Sequence, residues 1–412
     1  MFRPVGRGWL RVMVSAAPPV LDAGPGPART SARQWTAIAV LSLATFVVVT
    51  SEMLPVGVLT PMAEGLGIST GTTGFSLTIT GLVTAVTAPA VPRLLGTADR
   101  RLVLAVAMVV LAAGNALTAV SGGFPLLLVS RVILGLGMGA VWGLAAAVAP
   151  RLVTARHAAL AVSFAVSGVA AASVAGVPLG TLIGNAFGWR AAFAALAVAA
   201  VVLAAALLAA LPPVPPVPQP AGPAATGTPE RLLRVPMVAT GLVLITLLVT
   251  AHFAAYTYVR PVLEERTGLA PGPIAALLLV YGVFGLAGNF AAGALAARRA
   301  RATVASLAAG IGAAIALLAA FGGTTWITVA GIALWGLAYG GLSVAGQIWM
   351  TRLAPHRAEH ITGLYVGVFT AAIALGALAG GTLVEASGVT TVLWTAAAGA
   401  LAALTIAATR RR

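Results

Sequence analysis

Apolar residues fill the chain in blocks of about 20 positions, separated by short polar segments. At 1.5 Å per residue such a block matches the ~30 Å hydrocarbon core of a bilayer, so each predicts a membrane-spanning helix. Twelve blocks lie near 36–59, 72–92, 102–120, 125–149, 158–184, 191–211, 235–259, 273–297, 302–321, 325–349, 361–384 and 389–409. Residues 1–34 are rich in Arg, Pro, Gly and Ala, lack a helical period, and predict a disordered cytoplasmic tail that starts at Met1 or Met13. Within it, WLRVMVSAAPP has a basic flank and small residues, but its apolar core is too short for a signal peptide. Residues 212–235 carry prolines that cannot continue a helix and predict an extended cytoplasmic linker. The linker separates a six-span segment, 35–211, from a second, 236–409, with 410–412 as a closing tail.

Composition agrees. Hydrophobic residues make up 60% and charged residues 8%, against roughly 25% charged in soluble domains. This predicts an all-α polytopic membrane protein. With no cysteine, disulfides and thiolate metal sites are excluded. A net charge of +15 suggests a nucleic-acid partner until its placement is read. All 24 basic residues are arginines, and 20 of them fall in the segments that alternate spans place on the side of the N-terminus. The other side holds Arg190, Arg260 and Arg266, while Arg131 lies within a span. That bias puts both termini in the cytoplasm, with the membrane rather than nucleic acid as partner.

The two six-span segments are related at an offset of 200. Glu52, Pro61 and Glu64 align with His252, Pro261 and Glu264; Gly176, Gly180 and Gly188 align with Gly376, Gly380 and Gly388. Parallel repeats of this kind place a binding site near the midplane, between the halves.

Three ionisable residues stand inside spans: Glu52 in TSEMLPVGVLTP, Arg131 in span 4 and His252 in span 7. Each costs about 2.5–3.5 kcal/mol facing lipid, so each is expected to face the protein interior or a wet cavity. Counting residues from the span ends puts all three ~9–12 Å below the outer surface. They read either as a proton and substrate site, with Glu52 and His252 carrying protons and Arg131 in the cavity, or as a polar packing network. The glycines of SRVILGLGMGAVWG superficially resemble a dinucleotide loop, but no strand precedes them. In GVPLGTLIG, Gly176, Gly180 and Gly184 share a helix face with Pro178 between them, which suits close helix packing or gating.

These motifs resemble the major facilitator superfamily, within it the twelve-span drug–proton antiporters, and most the sugar and arabinose efflux, nucleoside export and chloramphenicol-resistance permeases. The resemblance rests on TSEMLPVGVL, SRVILGLGMGAVWGL, GVPLGTLIGNAFGWRAAF, AHFAAYTYVRPVLEERTGL and LWGLAYGG, and touches most of residues 35–385. It implies two pseudo-symmetric six-helix bundles, the major facilitator fold. It also implies that Arg131 is the cavity-facing arginine of span 4, and that Gly176, Pro178, Gly180 and Gly184 form the antiporter motif. One departure concerns the inner loop motif of Asp99, Arg100 and Arg101, where Gly96 takes the expected aspartate position, as Ala297 does in the equivalent loop.

The expected function is proton-driven export of a small polar or amphipathic molecule (drug, sugar or nucleoside-like) across a bacterial cytoplasmic membrane. Two bundles rock about a central site, in a monomer with no cofactor. Trp142, Tyr256, Trp335 and Tyr339 are candidates for stacking on substrate, or for packing. A facilitator or importer of the same fold is the alternative. An intramembrane enzyme would need a nucleophile–base pair or a metal cluster, which three isolated ionisable groups without cysteine do not supply.

Overall fold

A computed structural model describes residues 30–95, 98–215, 234–354 and 358–409. Residues 1–29 of the expected tail, most of the expected linker (216–233), Gly96 and the closing tail 410–412 lie outside the described residues. The first helix, α1 (Ala32–Leu66), begins inside what reads in sequence as tail. Its start is set by a capping box: the Ser31 hydroxyl accepts from the Gln34 amide, and the Gln34 side chain accepts from the Ser31 amide.

The first half continues with α2 (Thr70–Leu94), α3 (Arg100–Ala119), α4 (Phe124–Val148) and α5 (Ala158–Ala171). A π-helical turn at Ala172–Gly176 leads into α6 (Val177–Phe187), and α7 (Trp189–Ala210) follows. The π turn ends just before Pro178, whose missing N–H would in any case leave a carbonyl of the preceding turn unpaired. The second half comprises α8 (Pro236–Tyr256), α9 (Val259–Thr267), α10 (Pro271–Phe321), α11 (Thr325–Gly340), α12 (Leu342–Leu353) and α13 (Ala358–Thr409).

Ten helical stretches among the described residues are long and apolar enough to cross a membrane. Two of them, α10 and α13, are of double length, and each contains one residue off helical geometry, Arg299 and Gly388. The breaks divide them close to where the sequence ends spans 8 and 11. ARRARAT contains no helix breaker, so helix continues into the expected loop and turns at Arg299 alone.

The 200-residue repeat is visible in the backbone. Val58 (φ −124°, ψ 20°) interrupts α1, and Tyr258 (φ −107°, ψ 19°) separates α8 from α9. Gly188 and Gly388 both adopt positive φ, at 87° and 78°, where a side chain would strain the chain. Gly176 and Gly180 abut Thr50 and Leu54, while Gly376 and Gly380 abut Thr250 and Ala254. Corresponding glycines therefore seat span 5 on span 1 and span 11 on span 7.

Each half has its own apolar core. One cluster surrounds Leu41, Leu104, Met108 and Leu134 in the first half; another surrounds Ile245, Leu248, Trp335 and Ile315 in the second. Val56, Leu77 and Val177 cross from the first half into the second core. The Thr78 hydroxyl also crosses, donating to the Ala374 carbonyl at 3.1 Å.

Candidate functional site

Glu52 is half-buried on α1. Its neighbours Met53 and Val56 pack into the second-half core, which turns this stretch of α1 toward the other half. The carboxylate lies within electrostatic reach of the Tyr339 hydroxyl on α11. Among the described residues the one ion pair is Arg260–Glu264, so Glu52 has no cationic partner here.

His252 anchors an aromatic cluster. Its ring stacks face to face on Tyr339, with centroids 3.5 Å apart and planes 3° from parallel. Tyr256 stacks at 5.2 Å, and Trp335 stands edge-on at 5.6 Å. The Trp335 Nε1–H donates to His252 Nδ1 at 2.9 Å. Because an indole N–H can only donate, Nδ1 must be the unprotonated nitrogen and the ring proton sits on Nε2. Nε2 faces the Tyr281 hydroxyl at 3.5 Å, the long limit of a hydrogen bond. A proton added at Nδ1 would confront the indole N–H. His252 and Trp335 are both fully buried, whereas Tyr339 is only half-buried and presents the edge of the cluster.

Arg131 sits elsewhere. It is 1% exposed, and its guanidinium lies 5.0 Å from the centroid of the Phe193 ring on α7. Its Nε and Nη2 have no hydrogen-bond partner. Asn115 nearby in sequence order on α3 donates to the Ser51 hydroxyl next to Glu52, at 2.9 Å. Glu52 thus reaches toward Tyr339 of the second half, His252 belongs to the aromatic cluster of that half, and Arg131 lies against Phe193 within the first half. Trp142, at 38% exposed, joins no aromatic pair among the described residues.

The glycines of the span-5 motif make the close approach their spacing suggests. A methyl on Gly180 would stand 2.5 Å from Leu54 Cδ1, and one on Gly184 2.7 Å from Val58 Cγ1. Gly176 faces Thr50, and Pro178 is buried among them. The inner-loop residues act locally. Asp99 caps α3 by accepting from the Arg101 amide at 2.9 Å, and it also accepts from the Val214 amide at 2.9 Å. Arg100 donates from its side chain to the Leu95 carbonyl and from its amide to the Val214 carbonyl. Asp99 and Arg100 thus tie Val214, at the start of the expected linker, to the first half.

Sequence reasoning missed Tyr281, Phe193, Asn185 and the role of Arg260. A signal existed for the first: all five tyrosines fall in the second half, which marks that half as the aromatic one.

Comparison with known proteins places this geometry. The chain is 31% identical over 364 residues, 88% of its length and 90% of the relative's, to the "Transcription regulatory protein OpdE" of Pseudomonas aeruginosa. It is 30% identical over 354 residues, 84% of its length and 86% of the relative's, to the "Purine ribonucleoside efflux pump NepI" of Salmonella typhimurium. Among solved structures, the nucleoside transporter NupG superposes with a TM-score of 0.77 over 92% of this chain and all of that one, at 14% identity. Residues 41–376 match the model of the Major Facilitator Superfamily, and the chain belongs to that family.

Proposed function

We propose that this transporter exports a nucleoside-like small molecule in exchange for protons, with Glu52 as the proton carrier. The carrying observation is the setting of Glu52. It is a carboxylate in the middle of a span, without a cation, on the stretch of α1 that faces the second half and reaches Tyr339. A group so placed can gain and lose a proton as the cavity changes sides, and a transporter without its own nucleotide chemistry needs such a group to couple to the gradient. His252 serves a different part. Its Nδ1 is committed to Trp335, so we assign it to bracing Tyr339 and not to carrying a proton. Tyr339, half-buried and within electrostatic reach of Glu52, is the surface on which a planar substrate can stack. NepI's name describes purine ribonucleoside efflux, which supports both the direction and the substrate class. OpdE's name describes regulation; we follow the efflux reading because Glu52 and its aromatic neighbour supply what coupled transport needs.

The test uses purified protein in liposomes, a radiolabelled purine ribonucleoside and an imposed pH gradient. The native chain should drive uphill movement, and Glu52→Gln should keep downhill exchange while losing the uphill component. Glu52→Asp should retain part of it. Uphill transport by Glu52→Gln with unchanged pH dependence would overturn the assignment.

A further inference from the structure

At the end of the molecule opposite the termini, the two halves are joined by a set of polar contacts centred on Arg260, which is 3% exposed. Its Nη1 donates to the Gly57 carbonyl at 2.6 Å and to Asn185 Oδ1 at 3.2 Å, both in the first half. Its Nε pairs with Glu264 at 2.8 Å, and Glu264 accepts in turn from the Thr60 hydroxyl of the first half. Gly57 is available for a reason. The helical partner of its carbonyl would be the amide of residue 61, which is proline and has no N–H. The guanidinium of one half fills the vacancy that Pro61 leaves in the other.

A second contact lies at the pseudo-symmetric position. Residues 185 and 385 correspond in the 200-residue repeat, and each reaches the start of the opposite half's second span. Asn185 Nδ2 donates to the Pro271 carbonyl at 2.9 Å, at the first residue of α10. Glu385 accepts from the Thr72 amide at 3.2 Å and from the Ser69 hydroxyl, at the N-terminus of α2, where a carboxylate is electrostatically favoured. Other arginines bond within their own half: Arg151 to Pro215, Arg301 to Ala407 and Arg352 to Ala297 at the opposite end, and Arg190 to Ser121 and Arg266 to Ala319 at the same end as Arg260.

We infer that Arg260 is the positioning residue of a latch that holds this end closed, with Asn185 and Glu385 as its symmetric braces, and that transport requires its release. The latch stands apart from the proton-coupling reading. It concerns which end opens, whatever drives the cycle.

The absence of cysteine in the chain makes a direct distance measurement straightforward. Gly122 in the first half and Thr325 in the second are exposed residues at this end. Gly122→Cys and Thr325→Cys, spin-labelled in lipid nanodiscs, report the separation of the halves by double electron–electron resonance. The native background should give one dominant short distance. Arg260→Gln should raise the ratio of a longer distance to the short one about tenfold or more, the equivalent of losing a charge-assisted hydrogen bond. Arg260→Lys, which keeps the charge but not the fork that spans two acceptors, should fall between. Asn185→Ala should give a smaller shift in the same direction. An unchanged distribution in a folded, monodisperse Arg260→Gln protein would overturn the latch. If that variant does not fold, Asn185→Ala with Thr60→Val decides the matter, and no lengthening there would overturn it equally.

Discussion

The bond between Trp335 and His252 offers a test of what the histidine is for. Trp335→Phe keeps an aromatic ring in a site that is 0% exposed but removes the N–H, leaving His252 Nδ1 buried without a donor. Leaving a buried acceptor unpaired costs about 1–3 kcal/mol, and shrinking indole to phenyl adds a cavity cost, for about 2–4 kcal/mol in total. His252→Phe has the mirror effect: the indole N–H loses its acceptor, at a cost of about 1–3 kcal/mol. The double variant contains neither orphan, so it should be less destabilised than the sum of the two. Interhelical couplings in membranes average about 0.6 and reach about 1.7 kcal/mol. A 2.9 Å bond between two fully buried partners belongs at the upper end, near 1–1.5 kcal/mol. The cycle can be measured by reversible SDS unfolding of the protein in mixed micelles, with wild type, both single variants and the double compared. Additivity within about 0.5 kcal/mol would refute the reasoning, because independent sites behave that way. A transport readout completes it: His252→Phe should raise KM through a loosened Tyr339 while uphill, proton-driven export survives.

Two further expectations follow from the packing and the topology. Gly180→Leu should insert and purify normally yet abolish turnover, because its first side-chain carbon already meets Leu54 at 2.5 Å and the branch beyond it has nowhere to go; wild-type efflux from that variant would remove the motif from the mechanism. Single cysteines at Gly122 and Gly272, exposed at the end opposite the termini, should react with an impermeant thiol reagent on intact cells, while one at the exposed Ala155 should not. The opposite pattern would invert the orientation that the arginine bias implies.

Block length made the spans legible, because a bilayer-thick run of apolar residues has few other uses. Helix ends were harder. Ser31 and Gln34 spell a capping box, yet the surrounding Arg and Thr residues read as tail, and only the paired hydrogen bonds reveal the start of α1. The π turn at Ala172–Gly176 left no mark beyond the proline that follows it. At the site, the sequence singled out Glu52, Arg131 and His252 by scarcity, but depth along a span says nothing of azimuth. The partners that decide each role are distant in sequence: Trp335 lies 83 positions from His252, and Phe193 stacks on Arg131 from another helix. Pro61 and Pro261 were visible as a symmetric pair. That one of them exposes a carbonyl for Arg260 depends on how the halves come together.

The pinning of Val214 by Asp99 and Arg100 bears on how the halves communicate. Chain from 216 to 233 connects a fixed point on the first half to Arg234, the first described residue of the second. Stretched fully, such a segment reaches about 60 Å, roughly twice the thickness of the hydrocarbon core. Whatever that segment does, Asp99 and Arg100 hold Val214 to the first half, and the halves also meet directly, Arg260 on the Gly57 carbonyl and Thr78 on the Ala374 carbonyl. Those direct contacts give the two halves a route of communication that does not use the segment. On this view, a chain severed within 216–233 and produced as two polypeptides would lose avidity before it lost mechanism, and the deficit should shrink as expression rises.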